Sequence, residues 1–193
     1  MTTRPQHLPE RAADQAGAQH QHPQWLVLLR RALVSGSVAS VCSTLAVSAF
    51  SRWHSGTAAA GTNAASQWFW YPQARMARQP SLRHTLVGYA VHHASSVFWA
   101  CTFEALRPRT AHAGGRAARA AGVAAAAYVV DYHVVPRRLS PGFEHRIGAS
   151  GMWATYAAFA LGLFVASHPA VQPRPRMSHR PAPPSSSRAP RPR

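Results

Sequence analysis

Residues Ala32–Ser51, ALVSGSVASVCSTLAVSAFS, contain no charged side chain. A helix on the surface of a soluble bundle shows a charged face every third or fourth residue. This run shows none, and Ala149–Ser167 near the other end repeats the pattern. Two such runs favour lipid over water as their surroundings.

Working outward, four apolar runs stand between two polar tails. The first is Trp25–Phe50 with an uncharged part of about 32–50, the second Leu82–Leu106 with a span of about 84–106, the third Ala117–Val135 and the fourth Ala149–Ser167. Each supplies roughly 18–25 residues, enough to cross a hydrocarbon layer of about 30 Å at 1.5 Å per residue. Alanine and serine replace leucine in them, so their hydropathy is modest. The reading is an all-α, polytopic membrane protein with four transmembrane helices. Residues 1–24 are polar and aperiodic, and residues 168–193 are rich in Pro, Ser and Arg. Both read as disordered tails around a 25–167 membrane domain.

The net charge is +16, and all 21 basic residues are arginine. Many of them sit in the tails and in gaps between apolar runs, as the positive-inside rule produces, so the charge points to membrane topology and not to nucleic acid. With four spans, fourteen arginines fall on the side of the two termini and seven on the other. Both termini are therefore expected in the cytoplasm of a bacterium, with the chain in its inner membrane. Basic tails would be drawn to anionic headgroups. The expected partners are the bilayer and those headgroups, and a homo-oligomer is compatible with the sequence. Arg30-Arg31 before Ala-Leu-Val faintly resembles a twin-arginine signal, but the long run and three further spans favour a retained first helix.

Small residues recur at four-residue steps: Gly36, Ser40, Thr44 and Ser48 on the first helix, Ala118, Gly122 and Ala126 on the third, Gly151 and Thr155 on the fourth. Such ridges let helix backbones approach closely in lipid. Between the first two spans, SQWFWYP (66–72) places aromatics all around a helix, which suits an interfacial segment holding Asn63, Trp68 and Trp70. Cys42 and Cys101 fall in different runs without a CxxC pattern and read as small buried apolar residues.

Chemistry would come from a few ionisable groups inside the runs. Asp131 lies in YVVDYHVVPRRLSPGFEHR (128–146), about 7 Å inside the break at Pro136. An intramembrane carboxylate is costly and marks a functional candidate. His92 lies roughly 12 Å below His84 at helical rise, so Asp131 and His92 or His93 could meet by depth. The polar cluster is therefore Asp131, His92, His93, His133 and His84. It reads as a structural pair, as a relay for protons or small solutes, or as a metal or haem site. The last is disfavoured because ligands usually stand at i, i+3 or i, i+4, whereas these histidines are adjacent or two apart. No metal or cofactor is assigned. Glu104 at the opposite end reads as an interfacial salt bridge with Arg107. Ser140-Pro141 reads as an N-cap and first residue of the fourth helix, with Arg137 and Arg138 on the membrane surface. GxSxG, Walker, GxGxxG and HExxH motifs are all missing, so the expected function is non-enzymatic.

TNAASQWFWY, PSLRHTLVGYAVHHASSVFWACTFE and VVDYHVVPRRLSPGFEHR, in this order and spacing, resemble a group of small proteobacterial inner-membrane proteins with no assigned activity. The resemblance spans roughly residues 56–167. It implies a four-helix membrane protein and marks Asn63, His84, His92, His93, Glu104, Asp131 and Pro141 as pattern positions, without any catalytic role.

Overall fold

The computed structural model describes residues 23–108, 112–168 and 170–172. Most of the two expected tails lies outside these residues. The described chain is all-helical. Helix α1 runs Gln24–Ser55, short helices α2 and α3 run Ala59–Ala64 and Gln67–Trp70, and α4 runs Val87–Ala105 after a π-turn at Leu82–Leu86. Helix α5 runs Ala113–Val129 and continues through a second π-turn at Val130–Val134, and α6 runs Glu144–Ala166. Two helices, α1 and α6, are long and apolar enough to cross a membrane, by length and composition.

Local chemistry sets several boundaries. At the start of the second run, the Ser81 hydroxyl accepts the His84 N–H at 3.1 Å, and the Thr85 hydroxyl accepts the Ser81 N–H at 2.9 Å. This reciprocal cap satisfies two donors that the first turn would otherwise leave free. After the π-turn, Val135 is extended (φ −78°, ψ 149°). A residue preceding proline is pushed out of the helical region, so Pro136 is the expected break.

The fourth helix starts later than the sequence suggested. Ser140 caps nothing, since its hydroxyl donates to the Arg137 carbonyl at 2.9 Å. Gly142 then takes φ +78°, and a Cβ there would lie 2.7 Å from the Gln67 amide. Only a glycine serves this turn, and the helix begins at Glu144 beyond it. A second non-helical residue, Gly148 (φ 66°, ψ 177°), separates the first turn of α6 from the rest.

Helix α1 is the centre of the bundle. It packs along both α4 and α6, α5 packs on α6, and α4 and α5 touch little. Two glycines make these contacts close. A Cβ on Gly36 would stand 2.7 Å from the Val97 Cα of α4, and one on Gly162 would stand 2.5 Å from the Ala39 Cα of α1. Gly36, Ser40, Gly151 and Thr155 are buried as their ridges require, while the buried line on α1 shifts to Ser43, Val47, Ser51 and Ser55. The α5 ridge departs from expectation. Ala118, Gly122 and Ala126 are all exposed, because α5 turns Ala120, Val123, Ala124 and Ala127 toward the core instead.

Beside an apolar core that includes Phe103, Ile147 and Leu163, the bundle buries many polar side chains and exposes many large apolar ones. Fully buried side chains include Asn63, Gln67, Ser35, Ser40, Ser43 and Ser51, whereas Leu45, Trp53, Phe98, Trp153 and Leu161 are more than half exposed. Soluble proteins put large apolar groups inside and leave amides outside. Several of the buried hydroxyls are satisfied within their own helices. Ser35, Ser43, Ser96 and Thr155 each donate to the carbonyl four residues earlier.

The bundle has two distinct ends. At one, Arg107 Nη1 meets Glu104 Oε2 at 3.4 Å, the expected ion pair. The chain also folds back there. Gln172 is buried and its amide donates to the Ala166 carbonyl at 2.7 Å, so the stretch expected to be tail from residue 168 begins as packed structure. The other end carries residues 56–81 and 135–147 and holds the candidate site.

Candidate functional site

The site lies under a roof made by the stretch between α1 and α4. Residues 59–67 are buried without exception. Asn63, expected at an interface, is fully buried. Its amide donates to the carbonyls of Ala77 and Gln79 at 3.1 and 2.9 Å, and its oxygen accepts from Thr85 at 2.6 Å. A side chain with this many partners in a dry site fixes the return of the chain to α4. The aromatics that follow behave as expected of a surface segment: Trp68, Phe69 and Tyr71 are exposed.

Gln67 fastens this roof to the turn between α5 and α6. Its amide donates to the Arg137 and Ser140 carbonyls at 3.0 and 2.7 Å, and its oxygen accepts from Arg75 Nε at 3.1 Å. Arg75 also faces Glu144 at 3.8 Å, and Arg146 donates to the Arg75 carbonyl. The Arg137 carbonyl is thus structural, while Arg138 reaches the Trp68 carbonyl only at 3.4 Å from an exposed position.

Beneath the roof is a cavity of about 60 Å³ in the gap between α4 and α5, walled by Ser43, His92, Ser96, Asp131, Thr155 and Tyr156 together with apolar groups such as Trp99 and Phe159. That volume exceeds the roughly 10–15 Å³ a water needs, so the cavity can hold water beside its polar groups. The expected direct Asp131–His92 pair does not form. Asp131 Oδ2 accepts the Tyr156 hydroxyl at 2.7 Å, and His92 Nε2 lies 2.9 Å from the Ser43 hydroxyl. Depth brought the acid and the imidazole to one space, but each has a nearer partner on a different helix, α6 for Asp131 and α1 for His92.

A second, larger space opens beside the roof. This vestibule, about 360 Å³, is walled by Arg75, Asp131, Tyr132, Arg137, Glu144 and His145 among others. Asp131 belongs to both walls. His92 in turn lines a small void of about 10 Å³ beyond the cavity, beside Thr44 and Gly61. Beyond that, an apolar cluster containing Ala39, Phe103, Val123, Phe159 and Leu163 fills the bundle. The polar spaces therefore extend from one end of the bundle only.

The remaining predicted residues separate. His84 leaves the cluster, because its Nδ1 lies 2.9 Å from the Ser66 hydroxyl and its ring meets the edge of Trp70 at 5.5 Å. His133 is exposed and packs against Tyr128. His93 turns away from His92, as adjacent helical residues must. It packs on Tyr89, and its Nδ1 is buried without a partner. Among the described residues no three of His, Cys, Asp and Glu come together as a metal site would need. The reading of the sequence missed Tyr156, Ser43, Gln67 and Glu144. A tyrosine directly after Thr155 in an uncharged run was the available signal for the first. Ser43 was one serine among many.

No protein-family model, curated protein or solved structure matches the chain.

Proposed function

We propose that the chain is an integral inner-membrane protein of four spans whose site exchanges protons between an outward vestibule and a partly open cavity that holds a few polar groups among apolar ones. The single observation behind this is that Asp131 walls both spaces. A carboxylate reachable from a wet vestibule on one side, and facing an imidazole across a cavity on the other, is the arrangement in which intramembrane acids carry protons. Coupling to a small solute is the activity class this suits, and it needs no enzymatic step.

The membrane part of the reading is supported by the buried small and polar side chains and the exposed large apolar ones. In lipid, packing and interhelical hydrogen bonds hold helices together, so small and polar residues belong inside and leucine outside. Helix α4 with its π-turn and α5 with its π-turn would supply the second and third spans. The excess of arginine on the side of the termini supports cytoplasmic tails and an outward-facing vestibule. Among the described residues no group of three His, Cys, Asp or Glu supports the metal reading.

Reconstitution in liposomes with an enclosed pH-sensitive dye tests the proposal. Under an imposed pH gradient, wild-type protein should give a proton leak that Asp131→Asn abolishes. Equal leaks from both would return Asp131 to a structural role, as a polar tie between α5 and α6.

A further inference from the structure

The vestibule carries charges of both signs, and the fold does not use all of its polar groups. Glu144 Oε1 faces Arg75 at 3.8 Å and His145 at 3.4 Å. Its Oε2 and the Tyr132 hydroxyl are both buried and face each other, and neither has a further partner. Both residues wall the same space as Asp131. A carboxylate oxygen can accept twice and a hydroxyl both donates and accepts, so both keep hydrogen-bonding capacity for a solute that enters the space. Arg137 lies in the same wall with the opposite sign. Gln67 takes its carbonyl, and its guanidinium makes no ion pair among the described residues.

We infer that the vestibule binds a small zwitterion, with its ammonium at Glu144 and Asp131 and its carboxylate at Arg137. A simple anion would meet two carboxylates in this wall, and a simple cation would meet two guanidiniums. A solute with both charges a few atoms apart opposes neither. The Tyr132 hydroxyl donates to the carboxylate or accepts from the ammonium, so it finds a partner in either case. At about 360 Å³, the space stands near the small end of ligand sites, roughly 300–1,000 Å³. That suits a free amino acid and is too small for a folded peptide. The assignment names the solute for the proton-coupled reading above and rests on it.

Calorimetric titration of the detergent-solubilised full chain tests this with three probes: L-alanine, ethylammonium and propionate. Alanine should bind saturably, and the two single-charge probes at least about tenfold more weakly, since a lost charge-assisted hydrogen bond is worth about 1.5–3 kcal/mol. Glu144→Gln and Arg137→Gln should each weaken alanine by a similar factor, while Arg138→Gln should leave it unchanged. No saturable binding of alanine to the wild type overturns the proposal. So does equal binding of either single-charge probe, a comparison that needs no variant to fold. The proton leak is measured without alanine, so the two readings fail separately. A leak without alanine binding removes the zwitterion and keeps the path, and alanine binding with no proton flux either without alanine or under an imposed alanine gradient removes the path.

Discussion

The Tyr156 hydroxyl of α6 donates to Asp131 Oδ2 at the end of α5 at 2.7 Å. The same carboxylate walls the vestibule and the inner cavity. One hydrogen bond therefore both ties two helices together and fixes the acid where the two spaces meet. Tyr156→Phe keeps the ring, which packs edge-on against Tyr128 at 5.4 Å, and removes only the donor. Interhelical hydrogen bonds in membranes are worth about 0.6–2 kcal/mol. The variant should lose about that much stability in detergent unfolding. It should also change the proton leak, because the carboxylate is no longer held between the two spaces. A leak identical to wild type would detach Tyr156 from the path.

Backbone contact along α1 gives a sharper contrast. Gly36 and Gly162 have no room for a Cβ, which would approach main-chain atoms within 3 Å, whereas nothing lies within 4 Å of a Cβ on Gly122. Gly36→Leu and Gly162→Leu must push helices apart, which costs at least about 1–3 kcal/mol. Both should lower the thermal midpoint or abolish folding. Gly122→Leu projects outward from the bundle and should leave the monomer's midpoint within about 0.5 kcal/mol of wild type, as for exposed sites generally. A midpoint for Gly162→Leu equal to that of Gly122→Leu would contradict the packing of α6 on α1.

The same residues show what the sequence could reveal. Charge-free runs and four-residue steps of small residues made an all-helical chain legible, and the break at Pro136 followed from proline geometry alone. Depth arithmetic at 1.5 Å per residue brought Asp131 and His92 to one cavity. It could not choose their hydrogen-bond partners, because that choice depends on helix rotation and on which neighbour packs where. Periodicity fixes neither. For the same reason the Ala118–Gly122–Ala126 ridge resembled a core ridge and turned outward. The roof was least legible. Asn63 and Gln67 are polar residues in a short linker, where exposure is the default expectation, and only the return of the chain over the bundle buries them.

Gln67 is the testable part of that roof. Gln67→Ala would leave the Ser140 carbonyl and Arg75 Nε without the Gln67 partner they have now, while the Arg137 carbonyl would keep the Ser140 hydroxyl. Each buried group left unsatisfied costs about 1–3 kcal/mol. The loss is local to the roof and the 137–143 turn, since Gln67 touches neither α1–α4 nor α1–α6 packing glycines. Amide hydrogen exchange should accelerate in residues 137–143 and 73–79 and stay unchanged in the middle of α1. Uniform acceleration across the bundle would mean that the roof is part of the global fold and not a separately opening unit.

The four-span arrangement makes its own prediction through the exposed apolar side chains. Leu45, Phe98, Val134 and Leu161, one from each of the four long elements, are each more than half exposed. At about 25 cal/mol per Å² of apolar surface, exposing such a band to water on all sides would be strongly unfavourable, and lipid removes that cost. Reporter fusions after His112, Ser140 and Pro175 should read inside, outside and inside. The protein should stay with the membrane through alkaline carbonate washing, which strips peripheral proteins. An outside signal at both His112 and Ser140 would mean that α4 and α5 do not cross, leaving α1 and α6 as the spans, whereas an outside signal at His112 with a cytoplasmic one at Ser140 would invert the four spans and place the vestibule on the cytoplasmic side. Recovery in the soluble fraction without detergent would require the exposed leucines to be covered by another chain, and it would remove the bilayer from the account altogether.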